Sequence, residues 1–542
     1  MKKALSLTLV LMMALSLFGG MAFATEEQIG KYDPPIELTV TNSVASGYKF
    51  REGEDLEHNV YTGLYRDEMG INLNFMWTLT SGDTDQKVNV TIASGDLPDL
   101  MRVNALQLKQ LVDSGMVYDL TELYEQCASP ATREVLISDG GDSMESAKFE
   151  GRLMALPNLG SNYDSASMIW VRQDWLEKLG LELPETMEDV MNVARAFAQE
   201  DPDGNGQNDT FGLSLQQNLF AGIHSIRGLM DGFHAYPNAW VEKDGQLAFG
   251  SVQPEVKEAL LTLQEMFKEG LIDPEFGVKD EAKVNEDLIA NKHGLLFGTH
   301  ANCYWPLQGT RDLDENAQWR PIPIVSVDEE SAKPLTSLAA SSYYVVAADC
   351  AHPEAVIRMF NYINELCYGE NGDIAKYMVD KTTTPGVQYY IYQLSPIYTD
   401  NARKNVAYYR KTLKYLENGD TSDMNADELD VAKLTKEFID TDGADAALWG
   451  NERWAGPEGA MGVIAHYMDN DLIMADQFIA ARTATMAEKY ATLEKMQNEV
   501  FTKIIMNVGT GEDFDKFVED WYALGGEQIT QEVNDWYQTT KG

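Results

Sequence analysis

Positive charge is scarce in this chain of 542 residues, which has 42 lysine and arginine residues against 86 aspartate and glutamate residues. Its formal net charge at pH 7 is −44. Nucleic-acid binding requires clustered basic side chains that neutralise phosphates, so this composition argues against a nucleic-acid partner. It also argues mildly against a polyuronate ligand, although one local arginine could outweigh the average charge. A soluble acidic surface is the simplest interpretation of the composition.

Cysteine is also rare, with four residues at Cys127, Cys303, Cys350 and Cys367. None of them lies in the CxxC spacing that is typical of metal sites. A chain of this length can bury a core that is large enough to fold without covalent cross-links. We therefore predict buried thiols rather than disulfide bonds.

Long apolar runs are absent except near the N-terminus, where residues 4–18 follow Lys2 and Lys3 and precede the sequence Ala22-Phe23-Ala24. This run is too short to span a membrane, and the small-residue ending is typical of a signal-peptidase site. We predict a signal peptide over residues 1–24. Because no cysteine occurs before Cys127, we expect an exported protein without a lipid anchor, in the extracellular or cell-envelope space.

Enzyme signatures are missing as well. The sequence contains no HExxH, no GxSxG, no P-loop and no GxGxxG pattern. Its seven histidines show no spacing typical of metal ligands, and its carboxylates are so numerous that a glycosidase-type pair could be chosen anywhere. The sequence therefore predicts a protein that is not an enzyme.

Strand and helix patterns alternate along most of the chain. Apolar runs predict strands at residues 36–40, 71–77, 293–298 and 342–347, and helical periodicity predicts helices at residues 86–93, 254–269 and 281–291. This alternation predicts an α/β fold. From about residue 381 onward the sequence is mostly helical in pattern.

A loop rich in oxygen ligands follows a helix that we predict to begin at Thr186, with Asp189 completing a capping box. In this loop, DPDGNGQNDTFG, acidic and amide side chains alternate, and a glycine stands at the sixth position as in a calcium-binding EF-hand loop. Gly212 replaces the bidentate glutamate expected at the twelfth position, so the loop departs from an ordinary EF-hand. A solvated turn without metal is the alternative. The predicted calcium ligands are Asp201, Asp203, Asn205, Gln207 through its carbonyl, and Asp209 or Thr210.

Several aromatic residues lie in segments that we predict to be loops rather than helical stripes. Flat rings cover the apolar faces of sugars, while carboxylates and amides bind the hydroxyl groups. Core packing is the alternative for each ring. The predicted ligand-binding residues are Trp305 and Tyr304, immediately after the predicted strand 293–298, together with Trp449, Trp454, Trp240, Tyr163 and Tyr48.

The stretch from residue 170 to 214 resembles a segment of the extracellular solute-binding proteins of family 1, in the branch of alginate- and oligosaccharide-binding lipoproteins. TIASGDLPDLM (91–101), SGMVYDLTELYE (114–125), FEGRLMALPN (149–158) and the C-terminal segment 501–537 agree with it. The resemblance covers nearly the whole chain after the signal peptide. Trp305 resembles the stacking tryptophan of maltodextrin-type binding proteins.

The resemblance implies a hinged, two-lobed α/β fold of the type II periplasmic-binding-protein class, with extra C-terminal helices. The first lobe would combine residues 25–160 and 326–380, and the second residues 161–325 and 381–542. An oligosaccharide would bind in the cleft between the lobes and be delivered to the permease of an ABC importer. We expect a monomer. Two alternatives stay open from the sequence, a secreted calcium-containing polysaccharide-degrading enzyme and a binder of peptides or other small solutes.

Overall fold

The structure, a computed structural model, describes residues 30–80, 82–369, 372–380, 383, 387 and 389–541. The predicted signal peptide lies outside the described residues. The chain divides into two compact units, the first formed by residues 30–158 and 342–399 and the second by residues 159–341 and 400–541.

The second and third boundaries lie later in the chain than predicted. Residues 326–341 belong to the second unit because Leu335 and Thr336 pair with a strand at Met474–Ala475. Residues 389–399 belong to the first unit, where the carbonyl oxygen of Leu394 accepts a 3.0 Å hydrogen bond from the Asn42 amide. These contacts join distant parts of the chain, so local sequence patterns did not indicate them.

The strands are numbered in chain order. They are β1 Ile36–Ser43, β2 Ile71–Leu79, β3 Leu100–Val103, β4 Lys148–Phe149, β5 Arg152–Leu153, β6 Leu156–Leu159, β7 Met168–Arg172, β8 Phe211–Leu213, β9 Trp240–Lys243, β10 Gln246–Phe249, β11 His293–Gly298, β12 Trp319–Ile322, β13 Leu335–Thr336, β14 Ala340–Val346 and β15 Met474–Ala475.

The helices account for most of the remaining regular structure. They span Val60–Met69, Thr84–Ser94, Ala105–Asp113, Thr121–Cys127, Pro130–Leu136, Asp142–Ser146, Gln173–Leu179, Met187–Gln199, Arg227–Gly232, Pro254–Lys268, Glu281–Ile289, Leu307–Leu313, Pro353–Tyr368, Ile374–Tyr377, Lys404–Asn418, Ala426–Asp440, Trp449–Ala455, Ala460–Asp469, Ala484–Ile505, Gly511–Trp521 and Glu527–Lys541.

The first unit has a five-stranded sheet in the order β2-β1-β3-β14-β6. Strands β1 and β2 are parallel, whereas β14 runs antiparallel to β3. The helix Pro353–Tyr368 buries Val356, Met359, Phe360 and Ile363. Their spacing in the sequence, at positions i, i+3, i+4 and i+7, predicts one buried helical face.

The second unit has a four-stranded sheet in the order β12-β7-β11-β8, with helices on both faces. Successive side chains of a strand point to opposite faces. Accordingly, Leu295 and Phe297 of β11 enter a core shared with the helices Met187–Gln199 and Pro254–Lys268 and with the C-terminal helices. Leu296 enters a second core, which is formed with the helices Trp449–Ala455 and Ala460–Asp469. The C-terminal helices therefore form part of this unit.

Most helix ends that the sequence predicts are present in the structure. The predicted capping box of Thr186 and Asp189 is present, and the helix Gln173–Leu179 ends at Gly180 in the left-handed conformation. An aspartate near a helix start predicts a capping residue, but Asp174, in the first turn of that helix, does not cap it. Its carboxylate instead accepts hydrogen bonds from the guanidinium of Arg172, which is almost fully buried and requires a charged partner.

The thiol prediction is confirmed in its main point, because no disulfide joins the four cysteines, all of which lie in the described ranges. Cys303, Cys350 and Cys367 are buried, and Cys127 is half-buried. Within the part of the chain that the structure describes, no helix is both long enough and apolar enough to cross a membrane.

Candidate functional site

The segment that follows β11 carries the most exposed of the predicted ligand-binding rings. All six residues of β11 are buried, as predicted, so the segment starts from a rigid element. A short 3₁₀ helix, His300–Cys303, lies between the strand and Trp305. The prediction that Trp305 follows the strand immediately is therefore wrong, since one additional turn separates them. We call residues 299–306 the aromatic segment.

Hydrogen bonds fix the backbone of the aromatic segment. The amide of Asn302 accepts from the backbone N–H of Thr299 at 2.6 Å and donates to the carbonyl of Trp305 at 3.4 Å. The indole N–H of Trp170, a fully buried residue of β7, donates to the carbonyl of Thr299 at 3.0 Å. Hydrogen bonds of the Asn302 side chain thus connect the two ends of the turn, and Trp170 connects the start of the turn to the sheet.

The Trp305 side chain is 60% exposed and the Tyr304 side chain is 44% exposed. A β-carbon added at Gly309 would lie 3.7 Å from the Trp305 ring, which places that ring close to the helix Leu307–Leu313. The Tyr304 hydroxyl donates to the Asn451 amide oxygen at 3.3 Å. Two aromatic rings on a fixed turn therefore remain accessible to solvent.

Tyr163 lies near this segment, in the 3₁₀ helix Asn162–Ser165, and is half-buried against the second core. Its neighbour Asp164 lies 3.6 Å from His300, as measured from carboxylate oxygen to Nε2. Burial raises the pKa of Asp164 and lowers that of His300, while each charge counteracts the shift of its partner. The structure thus brings an acid, an imidazole and the aromatic segment together.

The loop placement predicted for Trp449 and Trp454 is wrong. Both lie on the helix Trp449–Ala455 and belong to the second core, where Trp449 is fully buried and Trp454 is 7% exposed. The Trp454 indole donates to Nδ1 of His300 at 2.7 Å. The two rings therefore belong to the core behind the aromatic segment, and neither ring face is exposed for a ligand.

Trp240 and Tyr48 lie elsewhere. Trp240 begins β9 and is 2% exposed, packed against Phe249 at 5.3 Å between ring centroids, so its predicted loop position is also wrong. Tyr48 is half-buried in a loop of the first unit, and its hydroxyl donates to the carbonyl of Tyr390 at 2.9 Å.

Polar residues around the aromatic segment were missed from the sequence. The Asn451 amide oxygen accepts a hydrogen bond from the Tyr304 hydroxyl. The Gln308 side-chain oxygen accepts one from the backbone N–H of Gly450 at 2.9 Å. Asp164 and His300 are two further polar residues near the aromatic segment that the sequence did not indicate. The signal that could have indicated Asn451 is the sequence WGNERW, in which it follows a tryptophan by two residues on a short helix.

The predicted calcium loop folds around the side-chain amide of Asn205. This amide donates to the Asp203 carboxylate at 2.7 Å and to the Asp209 carboxylate at 3.0 Å. Oδ2 of Asp201 accepts from the backbone N–H of Gly206 at 3.1 Å, while Oδ1 of Asp201 is buried and has no hydrogen-bond partner. Three aspartate carboxylates thus lie within one short loop.

The acids of this loop influence one another. Burial raises the pKa of Asp203, and the negative charges of Asp209 and Asp201 act in the same direction. Desolvation also acts to raise the pKa of Asp201, but the neighbouring Asp203 side chain and the hydrogen bond from the Gly206 amide outweigh it and lower that pKa. Opposite shifts in two neighbouring acids indicate negative charge held at close range.

The predicted ligand Thr210 contacts the preceding helix. Its side chain is buried, and its hydroxyl donates to the carbonyl of Phe197 at 2.7 Å, which commits it to the end of the preceding helix. Gln207 is exposed, and its backbone N–H donates to the Asn205 side-chain oxygen at 2.7 Å, which leaves its carbonyl available.

Ser214, His224 and Asn285 form a hydrogen-bonded chain that resembles a catalytic triad in its connections. His224 lies 2.8 Å from Ser214 Oγ through Nδ1 and 2.8 Å from Asn285 Oδ1 through Nε2. Ser214 and His224 are fully buried, however, and burial lowers the pKa of His224 to about 4. A nucleophile without exposed surface cannot meet a substrate, so this chain stabilises the core.

The sequence and the fold are similar to those of known proteins. Residues 55–365, more than half of the chain, match the model of the bacterial extracellular solute-binding protein family. The chain belongs to this family.

Among curated relatives, lipoprotein LipO of Bacillus subtilis is 22% identical over 478 residues, covering 87% of each chain. The fructooligosaccharide ABC transporter substrate-binding protein FusA of Streptococcus pneumoniae is 28% identical over 268 residues, which is 47% of this chain and 48% of FusA. A solved FusA structure, described as an EF-hand mutant in complex with fructo-nystose, has a TM-score of 0.55 at 16% identity and covers 93% of this chain and 99% of the FusA chain.

A solved solute-binding protein from Bifidobacterium longum infantis, described as binding human milk oligosaccharides (HMO), has a TM-score of 0.63 at 16% identity. It covers 93% of this chain and 99% of its own. These similarities confirm the predicted fold class, a two-lobed α/β fold of the solute-binding proteins.

Proposed function

We propose that this protein captures an oligosaccharide outside the cytoplasmic membrane and delivers it to the permease of an ABC importer, without chemistry of its own. The observation that carries the proposal is the 60% exposure of the Trp305 ring on a turn whose backbone is held by hydrogen bonds. The transport role rests on family membership. The ligand class draws on relatives that are named for fructooligosaccharides and human milk oligosaccharides.

An exposed tryptophan on a rigid turn suits sugar recognition. Its large flat face can cover the apolar face of a pyranose or furanose ring, and a ring that is already held loses little entropy on binding. Tyr304, Tyr163 and the polar groups of Asp164 and Asn451 would surround that face and bind hydroxyl groups. The buried rings Trp449 and Trp454 would fix the surface from below.

The overall charge favours a neutral ligand. With a net charge of −44, the protein repels polyanions at long range, and the acid closest to the aromatic segment, Asp164, adds to this effect. We therefore propose a neutral oligosaccharide in preference to a polyuronate. The interlobe cleft implied by the family resemblance stays a prediction.

Titration calorimetry with a panel of neutral oligosaccharides, oligogalacturonides and peptides tests the proposal. We expect saturable binding of a neutral oligosaccharide, and Trp305→Ala should weaken it by about 1–3 kcal/mol, the usual loss for an anchor residue. Leu524→Ala provides a matched control, because Leu524 is also exposed (51%) but lies among the C-terminal helices.

Two results would reject the proposal. Binding of peptides alone would favour the small-solute alternative. Conversion of the glycan into products, detected by chromatography after prolonged incubation, would favour the polysaccharide-degrading enzyme.

We further propose that the loop of Asp201, Asp203, Asn205, Gln207 and Asp209 binds a structural calcium ion. Calcium prefers oxygen ligands, and this loop supplies three carboxylates, an amide and an available carbonyl. The buried, unpartnered Oδ1 of Asp201 supports the proposal, since an orphaned carboxylate oxygen is costly without a cation. Thr210 stays the alternative to Asp209 as the ligand that completes the coordination. One solved structure of similar fold, FusA, is itself described as an EF-hand mutant.

Export as a monomer without a lipid anchor completes the proposal. Export without a lipid anchor rests on the apolar run at residues 4–18, on Ala22-Phe23-Ala24 and on the absence of cysteine before Cys127. The monomeric state is a separate expectation. Size-exclusion chromatography with light scattering tests the monomer, and a concentration-dependent dimer would contradict it.

A further inference from the structure

A second group of possible metal ligands lies inside the second unit, apart from the calcium loop and the aromatic segment. Asp273, Asp287 and His293 each offer one ligand atom, and these atoms all lie within 4.8 Å of one another. The three residues are 4%, 7% and 1% exposed. They come from separate elements: Asp273 follows Ile272, which bridges to β8, Asp287 lies on the helix Glu281–Ile289, and His293 begins β11.

His293 is the unusual member of this group. Neither of its ring nitrogens has a hydrogen-bond partner, although the side chain is almost completely buried. The nearby His224, also fully buried, uses both nitrogens in hydrogen bonds to Ser214 and Asn285. Leaving a buried polar group unpaired is costly. The imidazole of His293 therefore has an unused lone pair close to two carboxylates.

A cation already occupies this place in the structure. The Lys279 ammonium lies 2.5 Å from Oδ2 of Asp273 and 2.9 Å from Oδ2 of Asp287. Lys292 reaches the other oxygen of Asp287 at 3.0 Å. The site is thus built for positive charge. Lys279 satisfies both carboxylates, but neither nitrogen of His293 takes part in a hydrogen bond with it.

We propose that Asp273, Asp287 and His293 form a zinc site for which the Lys279 ammonium is the built-in competitor. Two carboxylate oxygens and one imidazole nitrogen suit Zn²⁺, whereas Ca²⁺ and Mg²⁺ prefer oxygen ligands alone. Zinc bonds of about 2.0–2.2 Å require ligand atoms less than about 4 Å apart, so the group has to contract only slightly. Zinc would displace the Lys279 side chain, which is 16% exposed and hence near solvent.

Zinc binding would be weak in the parent protein and strong once the competitor is removed. Lys279→Met keeps the aliphatic stem, removes the ammonium and leaves two buried carboxylates without their cation. We expect this variant to bind one zinc ion at least about tenfold more tightly than the parent in titration calorimetry. If it folds poorly, Zn²⁺ should restore its melting temperature, and Mg²⁺ at the same concentration should not.

Two further variants connect the effect to this site. His293→Gln and Asp273→Asn, each introduced into the Lys279→Met protein, should weaken zinc binding at least about tenfold. Asp203→Ala in the calcium loop should leave it unchanged, which separates the two sites. Equal zinc affinity of the parent and Lys279→Met, or full affinity after loss of His293, would overturn the proposal. The inference does not depend on the oligosaccharide, and failure of sugar binding would leave it intact.

Discussion

Calcium dependence of stability is the most direct consequence of the acidic loop. In the structure, the Asn205 amide lies between the carboxylates of Asp203 and Asp209, and burial together with neighbouring charge raises the pKa of Asp203. A raised carboxyl pKa means that the folded state retains a proton which the unfolded chain releases. Without calcium, this group therefore makes the protein less stable as the pH rises above its unfolded value near 4.

The magnitude follows from linkage. An ion that binds only the folded state at a free concentration of 100 times its dissociation constant stabilises by about 2.7 kcal/mol. Domains of 150–250 residues shift their melting temperature by about 2–4 °C per kcal/mol, and the second unit is larger than that range. At pH 7 we therefore expect calcium to raise the melting temperature of this unit by about 5 °C, as measured by calorimetry with and without chelator.

Asp203→Ala should abolish the calcium effect and leave the chelated protein no less stable than the chelated parent, because it removes a repelled carboxylate. Glu258→Ala is the matched control, an exposed acid of the same unit whose loss changes the net charge equally. Equal melting of the parent protein with calcium and with chelator would refute the reasoning. So would a calcium response that persists in Asp203→Ala.

Three other outcomes follow from burial and from the sequence. Trp449→Ala should lower the free energy of unfolding in urea by about 3–5 kcal/mol, because the ring is fully buried. Trp305→Ala should lower it by less than about 2 kcal/mol. Equal losses would contradict the assignment of one ring to the core and the other to the surface. Burial raises the pKa of Asp476 to about 6. Folding stability should therefore fall by about 2 kcal/mol between pH 4 and pH 6 on account of this group. Asp476→Asn should remove this pH dependence, and an unchanged pH profile would contradict the assignment. Mass spectrometry of the exported protein should show an N-terminus at Thr25 without an acyl group, and a retained leader or a lipid would reverse that prediction.

Periodicity predicted the elements that bury one face. The six-residue strand His293–Gly298 and the buried face of the helix Pro353–Tyr368 are as expected, because spacing of two or of three to four residues directly reflects burial. The unit boundaries were less predictable. The pairing of Leu335 with Met474 assigns residues near 335 to the second unit, and this pairing depends on a strand more than a hundred positions later in the chain.

The aromatic candidates show why exposure is harder to predict than secondary structure. In LWGNERWAGPEG, glycine and polar neighbours suggested a loop, yet Trp449 and Trp454 lie on one helix and both enter the core. Gly450 does not mark a turn there. A β-carbon at this position would lie 3.0 Å from the Tyr304 ring and would push that ring outward by a few tenths of an ångström, so glycine favours a close approach between two distant segments.

The same close approach explains how the buried and the exposed rings depend on one another. Tyr304 can lie over Gly450 only because Trp449 and Trp454 hold that helix against the second core, and Trp454 in turn fixes His300 at the start of the aromatic segment. The residues before the exposed Trp305 are held on both sides, by Trp170 of the sheet and by Trp454 of this helix. The sequence indicates which residues are aromatic, but only the packing of distant segments decides which ring is left to meet a ligand.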